Sequence, residues 1–456
     1  MSLADINRAK QGKRKRTGQR TLLLAGILTY VACFQWIYIH YLYPEFGYFG
    51  YDYNPPGTSY IALAWVLSVL PTLWMPLQLR RPSQLAYWIL YVTVLIPSMF
   101  VPLYAGLEQP SQISVLMLVL FAGFVVTGAS YLIPRFYVRP ARMSSRAFWA
   151  IFGSIGLGLA IWMIVVFRHN IHIVSFLNVY DLRDTASEIE QGTYASYTYM
   201  VLSGAINPFL MGWGLYHRKK WMFTIGALGQ LLVYSVVGTK SSILSVLFAW
   251  GFYILLKNGR LKFAIKLMSV ILVVSGGLCL SYEFSGNNPD SIGLLAESVV
   301  FQRTLSTGGL VTAQYFDFFQ KNPVTHLSNV KGFNWFMHYP YEYPIGQEIG
   351  LAYAGTLGLD ATAHFWATDG IEAFGLIGIL FVSALCTLVF WVLDSVSRDR
   401  DPRLVALLIS FAALNLANAS IFTSLLSGGL GLLIALIHFM PMGSKNSTRT
   451  VACASC

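Results

Sequence analysis

Four cationic or imidazole side chains of this chain stand in settings that suit chemistry on an anionic substrate: Arg183, Lys240, Arg303 and His364. Arg183 lies in Tyr180-Asp181-Leu182-Arg183-Asp184. Lys240 lies in Gly238-Thr239-Lys240-Ser241-Ser242, and Arg303 lies among Phe301, Leu305 and Gly308-Gly309. A guanidinium grips phosphate through paired hydrogen bonds, and an ammonium serves it as a point charge. His364, in Ala363-His364-Phe365-Trp366, has the side chain best suited to take a proton near neutral pH. Asp360 and Asp369 are carboxylate alternatives for that task. Close by in sequence, Trp335, Phe336, His338, Tyr339, Tyr341 and Tyr343 form an aromatic stretch. Aromatic faces stack on sugar rings, and they also populate membrane interfaces. Trp335, His338 and Tyr341 are the candidate glycan contacts, with His338 a second candidate base.

Each of these has a plainer reading. Arg183 could pair with a neighbouring Asp, Arg303 could be a surface-helix charge, and Lys240 or His364 could mark a helix end. The Gly-Thr-Lys-Ser-Ser run lacks the upstream glycine of a P-loop and is not read as a nucleotide site. No His/Cys/Asp cluster has metal-ligand spacing, so no metal and no cofactor are expected.

What holds these residues is a membrane. The chain is 55% hydrophobic and 11% charged, with mean hydropathy +0.57, far from the soluble globular range. Apolar runs predict about twelve transmembrane helices, near 21–41, 59–79, 85–106, 113–134, 147–167, 198–217, 221–238, 241–256, 263–282, 371–393, 404–418 and 421–440. The fold class is an all-α polytopic membrane protein. Seven of the basic residues precede position 21. Others cluster at Arg80-Arg81, Arg135–Arg146, Arg218-Lys219-Lys220, Lys257–Lys266, Arg398–Arg403 and the C-terminal tail. These fall on alternate loops, which predicts cytoplasmic termini by the positive-inside rule. The net charge of +11 is thus a membrane signature, and no nucleic-acid partner is expected.

The organisation follows: a basic tail 1–20, helices over 21–282, a large outer loop 283–370, further helices over 371–440, and a tail 441–456. Arg183, Lys240, Arg303 and His364 map to the outer side, as do Lys321 and Lys331, which read as solvated. Within the large loop, 294–319 has apolar residues at helical spacing. It predicts one or two amphipathic helices on the membrane surface, broken near Gly308-Gly309. His364 is expected just before the tenth helix, at the outer face. Intramembrane charges read as nearly absent, which speaks against an ion-coupled transporter.

Four pieces of the chain, over about 175–385, resemble the Wzy-type oligosaccharide repeat-unit polymerases. They are the Arg183 loop followed by Asn207-Pro208, Gly238-Thr239-Lys240-Ser241-Ser242, and Phe301-Gln302-Arg303 with Gly308-Gly309-Leu310. The fourth is Ala361-Thr362-Ala363-His364-Phe365-Trp366 with Phe374-Gly375-Leu376-Ile377-Gly378. The last piece is also similar to the O-antigen ligases. The resemblance implies a metal-independent GT-C-type glycosyltransferase of the bacterial cytoplasmic membrane, with its active site facing outward. Its substrates would be lipid-linked oligosaccharide donor and acceptor, with undecaprenyl pyrophosphate as leaving group. Membrane lipids, a chain-length regulator and a flippase are the implied partners. Ligase and lipid-linked oligosaccharide flippase are the alternatives.

Overall fold

The computed structural model describes residues 3–139, 141, 143–174, 186, 195–257, 262–285, 298–330 and 332–441, except for the side chains of 3–16 and 283–285. No strand occurs among the described residues. The main helices are α1 (Leu3–Ile37), α2 (Thr58–Val69), α3 (Ser83–Ala105), α4 (Pro110–Gly128), α5 (Ser145–Val166), α6 (Asn207–Tyr216) and α7 (Lys220–Val237). They continue as α8 (Lys240–Lys257), α9 (Phe263–Ser285), α10 (Thr307–Lys321), α11 (Ile345–Ala354), α12 (Glu372–Val396), α13 (Pro402–Asn415) and α14 (Leu430–Phe439). Nine helices among the described residues are long and apolar enough to cross a membrane, and the protein is membrane-embedded. Each expected segment includes helical residues, but 59–79 is helical only to Leu73 and 421–440 is interrupted between Leu425 and Leu430. Thr58–Leu73 and Pro402–Asn415 are apolar but shorter.

Side-chain chemistry decides where each helix sits. α3 is apolar all round and carries Tyr87, Trp88, Tyr91 and Phe100, so it is buried nearly everywhere and lies at the bundle centre. α5 is apolar with few large inward residues. Leu157, Ile161, Trp162 and Val165 stay exposed on it, as expected of a lipid-facing surface. α7 ends at Gly238 in the left-handed region, φ +68, where glycine carries no steric penalty. The chain then turns directly into α8, as the sequence predicts for Lys240.

The basic residues ahead of the apolar run are helical too, with α1 continuous from Leu3. One expectation is corrected. Over its described part, 298–319, the stretch 294–319 is not a broken surface helix. A π-helical segment, Ser298–Ser306, leads without interruption into α10, whose residues Gly308 to Asp317 are all buried. Its glycines explain the burial. A Cβ on Gly309 would stand 2.9 Å from Val101 Cβ and 3.1 Å from the Pro97 carbonyl, so only glycine lets α10 seat against α3.

The apolar stretch Trp366–Val396, 31 residues long, would extend ~46 Å as one helix, well beyond an apolar membrane core of about 30 Å. It is two pieces. Phe374 (φ −145°) and Gly375 (φ +62°, ψ −143°) leave the helical region, and the chain reverses there. The π-helical segment Trp366–Ile371 packs back along α12: Trp366 Nε1 donates to Ser383 Oγ at 2.8 Å, and Gly370 lies against Gly378 and Ile379. This re-entrant hairpin carries the residues around His364 into the bundle.

Candidate active site

His364 is fully buried, with no exposed surface. It is not at an open outer face. It is enclosed between α10 and the hairpin, with the Trp366 ring edge-on at 5.6 Å and Gly308 beside its ring. The Thr312 hydroxyl lies 2.8 Å from His364 Nε2 and donates its proton to the Gly308 carbonyl at 2.6 Å. One hydroxyl has one proton. Thr312 therefore accepts from His364, and Nε2 carries the imidazole hydrogen. Nδ1 is left as a bare lone pair, buried and without a partner. Burial pushes the imidazole down to about 3, so the ring is neutral at any physiological pH.

Two further buried polar atoms without a partner lie on the same elements, Ser306 Oγ and Glu372 Oε2. Ten such atoms occur among the described residues, and three of them lie here. Glu372 accepts from the Thr325 hydroxyl through Oε1 at 3.3 Å and faces the charge of Asp369. Asp369 accepts from Ser420 Oγ at 2.5 Å and from the Ile421 backbone N–H at 2.6 Å, which ties the hairpin to the start of the next short helix. Tyr315, on α10, donates to the Ala361 carbonyl at 3.1 Å. Its phenol is held well above its ordinary value by burial, then by Glu372 and Asp360. Burial also raises Asp360.

These acids correct the reading that charged groups are nearly absent from the apolar helices. Asp369, Glu372 and Asp394 are all buried there. Sequence reasoning named Asp360 and Asp369 as alternatives and missed Glu372. The signal was a second carboxylate three residues after Asp369, which places both on one helix face. Among the described residues, no group of three or more His, Cys, Asp or Glu has a metal-holding arrangement.

The cations distribute differently. Arg303 lies on the π-helical segment that feeds α10. It is exposed and lies near enough to lower the otherwise raised pKa of Tyr51; burial is the larger influence, and the Tyr51 hydroxyl also meets Thr307 at 3.3 Å. π-helical segments are rare and often found at functional sites. Lys240 opens α8 and is half-buried beside the Thr239 and Ser242 hydroxyls, which meet at 2.8 Å. Arg183 and Lys331 lie outside the described residues. Lys321, expected to be solvated, is exposed at the end of α10 and reaches Asp317 at 2.5 Å. Burial would raise Asp317, but its hydrogen bonds with Lys321, Tyr353 and Glu108 outweigh that and hold it below its ordinary value.

No protein-family model, curated protein or solved structure matches this chain. The site is therefore read from its own geometry.

The aromatic stretch forms a shelf above the hairpin. Trp335 is 81% exposed and His338 is exposed, so both are free to meet a ligand or a lipid headgroup region. Tyr341 is half-buried. It donates to the Pro323 carbonyl at 2.5 Å and packs on Phe318. Burial, then Glu348 and Glu372, push its phenol up to about 12. Backbone bonds from Thr325 to the Glu372 carbonyl (2.9 Å) and from His326 to the Ala373 carbonyl (3.2 Å) hold the segment that precedes the aromatic stretch against the hairpin tip.

Proposed function

We propose that this protein is a membrane-embedded glycosyltransferase that polymerises undecaprenyl-pyrophosphate-linked oligosaccharide repeat units into a surface polysaccharide, at the outer face of the bacterial cytoplasmic membrane. The observation that carries the reading is the His364 Nδ1 lone pair, held buried and unpartnered by the Thr312 bond, on the element pair that also presents Arg303. Arg303 and Thr312 are nine residues apart on one continuous helical element, or about 13 Å along its axis at 1.5 Å per residue.

In this reading the acceptor hydroxyl attacks the anomeric carbon of the donor glycan. The carbon–oxygen bond to undecaprenyl pyrophosphate breaks, and the leaving group departs as an anion. Arg303, with Lys240 and Arg183, stabilises its charge. His364 takes the hydroxyl proton once substrate opens the pocket, with Asp360 or Asp369 as the alternative base. Trp335, His338 and Tyr341 stack on or orient the glycan. Burial of the site between helices excludes water from the activated donor. The resemblance to the Wzy-type polymerases supports the same reaction, and no metal or cofactor is invoked for it.

Two alternatives differ in outcome. Ligase-type transfer uses the same donor and another acceptor. A lipid-linked oligosaccharide flippase is favoured by one specific observation, the buried pair Asp369 and Glu372, since ionisable groups inside a helix bundle often line transport paths. The chain-length ladder of surface polysaccharide in cells with and without this protein decides. Loss of long chains with single repeat units still attached supports polymerisation. Loss of all attached repeats supports ligation. Repeat units trapped on the inner leaflet support transport.

A further inference from the structure

We propose that the pocket beside the turn between α6 and α7 binds the phosphate headgroup of an anionic phospholipid, drawn from the leaflet at the lysine- and arginine-rich face of the bundle. The pocket has a volume of about 270 Å³ and is lined by Tyr216, Arg218, Tyr253, Leu256, Lys257, Arg403 and Leu407. Three of these seven are cations: Arg218 from the turn after α6, Lys257 from the end of α8 and Arg403 from the start of α13. One carboxylate, Asp401, offsets part of that charge: it holds Arg403 at 2.7 Å and accepts from Tyr216 at 2.9 Å. Arg218 and Lys257 make no ion pair among the described residues. The pocket thus keeps an excess of positive charge, flanked by two tyrosine rings.

The backbone at Arg218 is the second observation. Its φ is +57°, in the left-handed region that disfavours side chains. The Lys219 N–H bonds the Gly214 carbonyl at 2.8 Å and the Arg218 N–H bonds the Leu215 carbonyl at 3.4 Å. This is the bond pattern that closes a helix with glycine at the position Arg218 occupies. An arginine at a glycine position is strain kept for its side chain, and that side chain lines the pocket.

The occupant follows from the surroundings. The pocket lies where the ends of α6, α8 and α13 meet at the basic face. Basic pockets between helices on that side suit anionic headgroups. The next residue, Lys219, borders a second cavity of about 430 Å³ that is almost wholly apolar, with Phe152, Leu157 and Leu232 along it and Trp149 and Trp221 among its lining. Such a groove suits an acyl chain. The plainer account is that Arg218 and Lys257 only complement the C-terminal ends of α6 and α8. That account predicts no lipid preference.

The test uses the purified full chain in neutral detergent, titrated with dioctanoyl phosphatidylglycerol, dioctanoyl phosphatidylcholine and inorganic phosphate. Binding is followed by native mass spectrometry and thermal shift. We expect phosphatidylglycerol to bind at least tenfold more tightly than phosphatidylcholine and to raise the Tm. Arg218→Gly should raise the lipid-free Tm by relieving the backbone while weakening phosphatidylglycerol binding. Arg218→Gly with Lys257→Gln should weaken it at least tenfold. Equal binding of the two lipids, or wild-type affinity in the double variant, would overturn the proposal. So would equal protection by inorganic phosphate, which would make this a soluble-anion site.

Discussion

Thr312 and His364, 2.8 Å apart through Oγ1 and Nε2, fix which imidazole nitrogen carries the proton. Because Thr312 already donates to Gly308, its only remaining role is to accept, and Nδ1 becomes the basic nitrogen. Thr312→Val keeps the shape and removes that acceptor. It leaves a buried N–H unsatisfied, at a cost of about 1–3 kcal/mol. The tautomer then loses its anchor. We expect turnover to fall while the Tm drops by several degrees, and Thr312→Ser to restore both. A Val variant with wild-type rate would remove Thr312 from the mechanism.

The low imidazole pKa carries a stability signature. In the unfolded chain His364 takes a proton near 6.5; folded, burial holds it to about 3. The unfolded state therefore binds the proton first as pH falls. Stability is unaffected by this group above pH 7 and is lost progressively from about 6.5 down to about 3. At pH 5 the loss amounts to about 2 kcal/mol, at 1.36 kcal/mol per unit. His364→Asn should therefore show a smaller Tm difference between pH 8 and pH 5 than the wild type. Equal pH sensitivity in the two proteins would mean that the imidazole is not sealed.

Turnover should respond to the same group differently. His364→Ala is expected to lower turnover by roughly 10²- to 10⁴-fold, the usual share of a general base. The Asn variant can orient a hydroxyl but cannot take its proton. Normal polymerisation by His364→Asn would move the base role to Asp360 or Asp369, with His364 left as a positioning residue.

Arg303→Ala should abolish long-chain synthesis while the protein stays folded in the membrane. Loss of a bidentate phosphate partner removes about 2–4 kcal/mol of charge stabilisation, or roughly 30- to 1000-fold in rate. Arg303→Lys should rescue in part, because an ammonium lacks the planar fork. The chain-length distribution of the polysaccharide reads both variants. Normal long chains from the Ala variant would exclude Arg303 from the site.

Gly378→Ala tests the hairpin. A Cβ there would run into the Gly370 carbonyl, which is backbone and has no room to yield. The hairpin should open, releasing Trp366 from Ser383 and exposing His364. Gly375→Ala should be damaging for a different reason, its φ of +62° with ψ −143°, worth about 1–3 kcal/mol of strain. Solvent labelling of the 360–375 segment by hydrogen exchange would report both. Wild-type protection in Gly378→Ala would mean that the hairpin is not held by that contact.

The helices were legible in the sequence because apolar run length is a local property. Each of the nine long apolar helices needed only its own residues to be recognised, and so did the turn at Gly238, where glycine takes the left-handed conformation that ends α7. Tertiary structure alone decided where the polar residues went. Thr312 and Asp317 are polar residues on a helix expected at the surface, yet both are buried, with partners from remote segments: His364 for Thr312, and Tyr353 and Glu108 for Asp317. The hairpin was hidden in the same way. Phe374-Gly375-Leu376-Ile377-Gly378 looks locally like one apolar helix start. What reverses the chain is the close approach of Gly370 and Gly378, a contact with no periodicity to announce it. Burial of a carboxylate such as Glu372 depends on packing around it, and packing is set by every other helix in the bundle.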